Sequence, residues 1–148
     1  MTRTTSARHT DILNGYRAGD SRFNHWAEEK LGALALTDWA WGEIKMRWDI
    51  DDRFVMPDGV MFGGHIASVA DHVAGLTAMT VLTGDKERFR TSRLETNFFR
   101  PLTMPLAMIE GRVTNAAKTL IHVEADFYNA DEKLAVRIHA VQVRRMTG

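Results

Sequence analysis

The run from Gly64 to about Leu82 constrains this chain most, because it is apolar or small around most of its circumference when wound as a helix. At about 100° per residue, Ile66, Val69, Ala70, Val73, Leu76, Thr77 and Thr80 form one broad stripe. Ala67, Ala74 and Ala78 make a small-residue flank beside it, and Ser68, Asp71, His72, Gly75 and Met79 lie beyond. Gly84-Asp85 ends the run. A helix of this composition must be enclosed on most sides, so the rest of the chain has to supply the enclosure.

That remainder reads as strands. Trp39 to Ile50 alternates late in the run, with Ile44, Met46, Trp48 and Ile50 on one face and Glu43, Lys45, Arg47 and Asp49 on the other. Asp51-Asp52 and Met56-Pro57-Asp58-Gly59 read as loop and turn. After the helix come Arg88–Phe99, stopped by Arg100-Pro101, then Leu106–Thr114, Thr119–Tyr128 and Leu134–Val143. Turns at Asn115-Ala116 and Asn129-Ala130-Asp131-Glu132 make these strands antiparallel neighbours. The expectation is an α+β fold, one long central helix wrapped by an antiparallel sheet of five to six strands.

Ahead of the sheet, a short helix starting at Asp20-Ser21 places Phe23, Trp26, Ala27 and Leu31 three to four residues apart and ends at Gly32. Residues 1–20 are expected to be a flexible segment, and residues 21–148 a single domain. Lys and Arg total 19 and so do Asp and Glu, so the zero net charge gives no argument for nucleic acid or a membrane surface. Cysteine is absent, which removes disulfides, thiol nucleophiles and cysteine-rich zinc sites. The six histidines have no metal-ligand spacing, so no metal is expected. Met1 to Arg8 lacks the apolar core of a secretory signal, no apolar run has membrane-spanning length, and the expected location is the cytoplasm.

Chemistry centres on the long helix. Gly63 and Gly64 can bring bare backbone against a ligand, and the first helical turn presents unpaired N–H groups that can hold a carbonyl oxygen. The plainer reading of the pair is a tight turn packed on the sheet. Asp71 projects within about 20° of Gly64 around the axis but lies about 10 Å along it, too far to act on one carbonyl carbon with Gly64 of the same helix. A second antiparallel copy across a two-fold axis would place Asp71 of one chain beside the Gly64 end of the other. The alternative for Asp71 is a buried structural ion pair with a strand arginine. A carboxylate beside a polarised carbonyl can deprotonate water or attack directly.

These residues resemble a known family. Gly59, Gly63, Gly64 and Asp71 match the Gly-x-x-His-Gly-Gly stretch, with an acidic residue seven positions later, of hotdog-fold acyl-CoA thioesterases of the phenylacetic-acid-degradation type. Thr91-x-x-Leu94-x-x-Asn97-Phe98-Phe99-Arg100-Pro101 resembles that family's strand before an Arg-Pro turn. Leu31-Gly32, Ala117-Lys118 and Leu134-Ala135 fall at further corresponding places, so the resemblance runs from about residue 22 to 145. It implies a hotdog fold, hydrolysis of an acyl-CoA by Asp71 as base or nucleophile, and an oxyanion donor at the backbone N–H of Gly64 or His65. It also implies nucleotide phosphates held by Lys118 or Arg100, no cofactor beyond the CoA of the substrate itself, and a homodimer or dimer of dimers (a homotetramer).

The departures carry information. Phe62 stands where the family has His, and Met56 where an Asn or Gln is usual. Both, with Gly63, could line an apolar pocket that suits an aryl or fatty acyl group. Ser68, one turn before Asp71, could hydrogen-bond it or a water, while His65 and His72 read as interface or solvent histidines as readily as substrate contacts. Two rivals to hydrolysis remain. A hydratase or dehydratase would recruit His65 or His72 beside Asp71, and a non-catalytic protein would bind acyl thioesters without turning them over.

Overall fold

The computed structural model describes residues 3–146. Two helices, α1 (Ala7–Arg17) and α2 (Ser21–Leu31), precede strands β1 (Ala33–Ala40) and β2 (Glu43–Asp49). The long helix α3 (Gly63–Met79) follows, then β3 (Glu87–Phe98), β4 (Leu106–Ala116), β5 (Leu120–Asn129) and β6 (Leu134–Met146). The strands form a six-stranded sheet in the order β1-β2-β4-β5-β6-β3, antiparallel throughout. One face of this sheet packs on α3, which is the hotdog arrangement.

The stripe expected on α3 is the face that meets the sheet: Ile66, Val69, Ala70, Val73, Leu76, Thr77 and Thr80 are all buried. Opposite them lie Ile44, Met46 and Trp48 of β2, Ile109 of β4, Ile121, Val123, Ala125 and Phe127 of β5, and Val136, Ile138 and Ala140 of β6. The helix sits close to the sheet because Gly111 of β4 has no side chain; a Cβ there would stand 2.3 Å from Thr77 Oγ1. Among the described residues, no helix is long and apolar enough to cross a membrane.

Two expectations need correction. Residues 7–17 form a helix rather than a flexible segment. Ser6 caps α1 by accepting from the His9 amide, and Leu13 is fully buried. Thr5 Oγ1 donates to the Thr80 carbonyl at 2.6 Å, and the Ser6 amide to Leu82 O at 2.8 Å. Such a polar helix shows almost no apolar periodicity, since its place is set by contacts with the far end of α3. The segment Trp39–Ile50 is also two strands, not one: the chain reverses at Trp41-Gly42, where Gly42 has φ +80°. In β1, Leu34 and Leu36 point inward while Ala33 and Ala35 take the outer positions, and the register shifts between Leu36 and Asp38, so the alternation is weak in hydropathy and short in burial. The remaining boundaries move by a few residues, α3 ending at Met79 before tight i−3 turns carry the chain to Leu82.

Candidate active site on the central helix

The loop before α3 is pinned at both sides. The Met56 amide donates to Val60 O at 2.8 Å, and the Met61 amide donates to Leu102 O at 2.8 Å. Gly59, at φ +88°, makes the reversal. Met61 is buried as a result, while Met56 and Phe62 face outward, Phe62 with 56% of its surface exposed.

Phe62 is the N-cap of α3 and offers no side-chain acceptor. Its carbonyl accepts from the amides of His65 at 3.0 Å and Ile66 at 3.1 Å. The amides of Gly63 and Gly64 have no acceptor among the described residues. Of the two donors considered for an oxyanion, then, the Gly64 N–H is available and the His65 N–H is committed inward. Gly64 also lies open to solvent, and the helix dipole adds partial positive charge there. The Phe62 ring lies alongside Gly64: a Cβ at Gly64 would meet it at 2.9 Å. On the other flank Gly63 faces the Phe98 ring, and a hollow of about 360 Å³ runs between Gly63, Ile66, Phe98, Phe99 and Arg100. Phe62, Phe98 and Phe99 give this end of the helix an apolar, aromatic rim.

Asp71 is exposed and, among the described residues, pairs with no arginine. The buried carboxylate held by strand arginines is a different one, Asp126, which accepts from Arg137 at 2.7 Å and Arg112 at 3.1 Å on the opposite sheet face. Burial by itself raises the Asp126 carboxyl, and the two guanidinium groups more than reverse it, leaving it below its ordinary value.

Asp71 Oδ1 instead accepts a hydrogen bond of 2.7 Å from Thr91 Oγ1 on β3. Thr91 Oγ1 also lies 3.1 Å from Oε1 of the fully buried Gln142 on β6. A hydroxyl carries one proton, and a carboxylate is the stronger acceptor. In the sequence, Thr91 only opens the stretch that runs to Arg100-Pro101, and nothing there assigns it a role. Gly75 faces the Phe89 ring, so one helical turn back, Asp71 meets the strand residue one pleat on, Thr91. Removing the hydroxyl in Thr91→Val is expected to lower kcat about 10-fold, the scale of one hydrogen bond to a charged group, with Thr91→Ser restoring it. Steady-state kinetics on the three proteins checks this, and an unchanged kcat in Thr91→Val would remove Thr91 from the site.

The other expected site residues separate. Ser68 Oγ donates to Gly64 O at 3.2 Å, within the helix, rather than to Asp71. His65 turns inward, its Nε2 2.8 Å from Leu31 O and its ring stacked on Phe54 at 3.7 Å, and burial lowers its pKa. His72 projects to the far side of α3, where Trp26 and Tyr16 cover its ring at 5.0 and 5.6 Å. Its Nε2 is buried with no partner among the described residues, and burial pushes its pKa down to about 4, so it is neutral near pH 7. Both histidines hold the N-terminal helices and loop to α3; neither joins the carboxylate of Asp71. Arg100 and Lys118 are exposed, but Arg100 follows the C-terminal end of β3 beside Gly63, and Lys118 lies in the β4–β5 turn beside the strand partners of β3's N-terminal end. Within one chain they do not belong to one site.

Residues 58–136 match the family model described as the thioesterase superfamily. The chain belongs to the thioesterase superfamily. A curated relative within reach of sequence comparison is the "Putative esterase" of Saccharolobus solfataricus, 37% identical over 86 residues, which are 58% of this chain and 60% of that protein. Solved structures share the superfamily fold at low identity. A thioesterase family protein of Silicibacter pomeroyi superposes with a TM-score of 0.78 at 16% identity, covering 94% of this chain and 99% of that one. A hypothetical thioesterase of Streptococcus pneumoniae, crystallised with coenzyme A, superposes with a TM-score of 0.76 at 12% identity, covering 86% and 98%. The superfamily segment, 58–136, contains Gly64, Asp71 and Thr91.

Proposed function

We propose that this protein hydrolyses acyl-CoA thioesters, in the manner of the phenylacetic-acid-degradation type, at sites shared between two copies of the chain. The observation that carries the reading is the exposed Asp71 carboxylate, oriented by Thr91, on the same helix as the unpaired Gly64 amide. The two lie about 10 Å apart along α3, which separates them in one chain and brings them together across a two-fold axis. The outer edge of β3 supports such pairing, being a 12-residue strand with β6 on one side and, among the described residues, no strand on the other. That a Streptococcus pneumoniae protein of this fold holds coenzyme A supports the substrate class.

In the reaction, the Gly64 N–H of one chain donates to the thioester oxygen as negative charge builds on it. Asp71 of the other chain takes a proton from water as the water oxygen bonds to the carbonyl carbon. The C–S bond then breaks, and the CoA thiolate leaves with the proton. In the nucleophilic variant the carboxylate itself bonds to the carbon, the thiolate leaves, and water hydrolyses the resulting anhydride. The aromatic rim of Phe62, Phe98 and Phe99 suits an aryl or long apolar acyl group. A hydratase needs a histidine beside the acid, and the placements of His65 and His72 give that reading no support.

Release of free thiol from phenylacyl-, benzoyl- and fatty acyl-CoAs tests the reaction; binding without release on every member would make the protein a carrier. Sharing is tested by mixing Asp71→Asn with Gly64→Val. Asp71→Asn lacks the carboxylate, and Gly64→Val sets a side chain against the Phe62 ring beside the donor amide, so each homodimer is expected to lose about 100-fold or more. A mixed dimer holds one intact site, and random exchange restores about a quarter of parental activity. No recovery from a mixture that demonstrably exchanges subunits would overturn the shared site.

A further inference from the structure

Gln142 is fully buried on the sheet face that packs on α3, where Ile138 and Ala140 precede it at two-residue spacing on β6 and Ile121 stands beside it on β5. A glutamine in such a place costs stability unless its amide is bonded at both ends. Here it is not. Oε1 lies 3.1 Å from Thr91 Oγ1, and Nε2 has no partner among the described residues. Thr91 is the register partner of Gln142 on β3, and theirs is the last regular pair before the ladder shifts between Thr91 and Arg93. Bulges re-aim side chains, and this one lies where a strand hydroxyl reaches the Asp71 carboxylate at 2.7 Å.

With Oε1 toward Thr91, the oxygens of Asp71, Thr91 and Gln142 share a single hydroxyl proton. The carboxylate takes it as the stronger acceptor, which leaves Oγ1 and Oε1 facing each other as two acceptors while the Nε2 protons go unused. The two ends of an amide have nearly the same shape, so hydrogen bonding decides how it faces. A half-turn of the amide removes the conflict: Nε2 donates to Thr91 Oγ1, and Thr91 donates to Asp71. We infer that Gln142 is a positioning residue for the Asp71 carboxylate, its amide nitrogen turned to Thr91 so that the Thr91 proton is committed to Asp71. This rests on the thioester hydrolysis proposed above. Each bond in such a chain polarises the next. Without the amide, the exposed Thr91 hydroxyl is free to turn its proton to solvent. The other end of the amide stays buried and unbonded, so the chain keeps Gln142 at a cost in stability.

The test is Gln142→Met, similar in size but without the amide, made alone and together with Thr91→Val. Alone it is expected to lower kcat on an acyl-CoA about 3-fold with KM unchanged, a smaller loss than that of the Thr91 hydroxyl itself. Its Tm should stay level or rise, because a half-bonded buried amide has gone. In the Thr91→Val background the same substitution should cost no further kcat, since Gln142 acts only through that hydroxyl. An unchanged kcat in Gln142→Met would overturn the inference. So would an equal loss in both backgrounds, which marks a structural role. Nuclear magnetic resonance of the unsubstituted protein tests the amide without activity: a side-chain amide proton of Gln142 should show an Overhauser contact to Thr91 Hβ and exchange slowly with solvent. Amide protons that contact only the side away from Thr91 would overturn the inference. A protein that shows the contact yet releases no thiol from any acyl thioester would defeat the hydrolysis and leave the order Gln142, Thr91, Asp71 standing.

Discussion

Asp71→Asn is expected to release thiol from its best acyl-CoA at least about 100 times more slowly than the parent, the scale of losing a positioned acid–base group. The loss should fall on kcat and leave KM nearly as it was. Asparagine has the same shape, and its amide oxygen can still accept from Thr91 Oγ1, which lies 2.7 Å from the native carboxylate. What it cannot do is take a proton from water or form a stable bond to the acyl carbon. Asp71 is exposed and in no ion pair among the described residues, so the substitution leaves no buried group unpaired and the fold should be untouched. Equal melting temperatures with unequal kcat would therefore locate the effect in the chemistry. Undiminished thiol release by Asp71→Asn would eliminate the carboxylate and with it the mechanism.

The largest loss of stability is expected at Phe127. Its ring is fully buried towards the C-terminal end of β5, edge-on to the fully buried Trp48 at 6.3 Å, between the sheet and α3. Phe127→Ala empties that space and is expected to cost about 3–5 kcal/mol. Domains hold together by only about 5–15 kcal/mol, so a large share of the stability goes with one ring. For a chain of this length each kcal/mol is worth roughly 2–4 °C, which puts the fall in Tm at about 6–20 °C. Calorimetry at matched protein concentration measures it, since association would itself raise Tm. A change below about 1 kcal/mol would mean that the cavity collapses and that the core is less tightly packed than its burial implies.

The aromatic rim and the missing polar groups belong to one picture. Phe62 and Met56 depart from the resembled pattern of a His and an amide, and both are exposed, Phe62 alongside Gly64 and Met56 in the loop before α3. With His65 and His72 turned away, the proposed site draws, among the described residues, on the Asp71 carboxylate, the Thr91 hydroxyl and backbone donors. Such a site relies on placing a thioester, already an activated acyl group, rather than on a relay of side chains.

Much of this was written in local periodicity. The stripe on α3, the alternation of β2 and β5, and the position of Asp71 off the buried stripe all follow from residues a few places apart, where backbone geometry alone decides which side chains share a face. Gly63-Gly64 likewise announced a bare helix start that the hydrogen bonds of Phe62 then refined to Gly64. Other features join residues far apart in the chain: Thr91 meeting Asp71 across 20 positions, Gln142 behind Thr91 across 51, and α1 anchored to the end of α3 across 75. His65 and His72 differ in the same way, since only the packing of α1, α2 and the Phe54 turn against α3 sends their rings away from Asp71. Such contacts depend on strand order, register and bulge, which arise from the competition of every segment for one core and leave no trace in any single stretch of sequence.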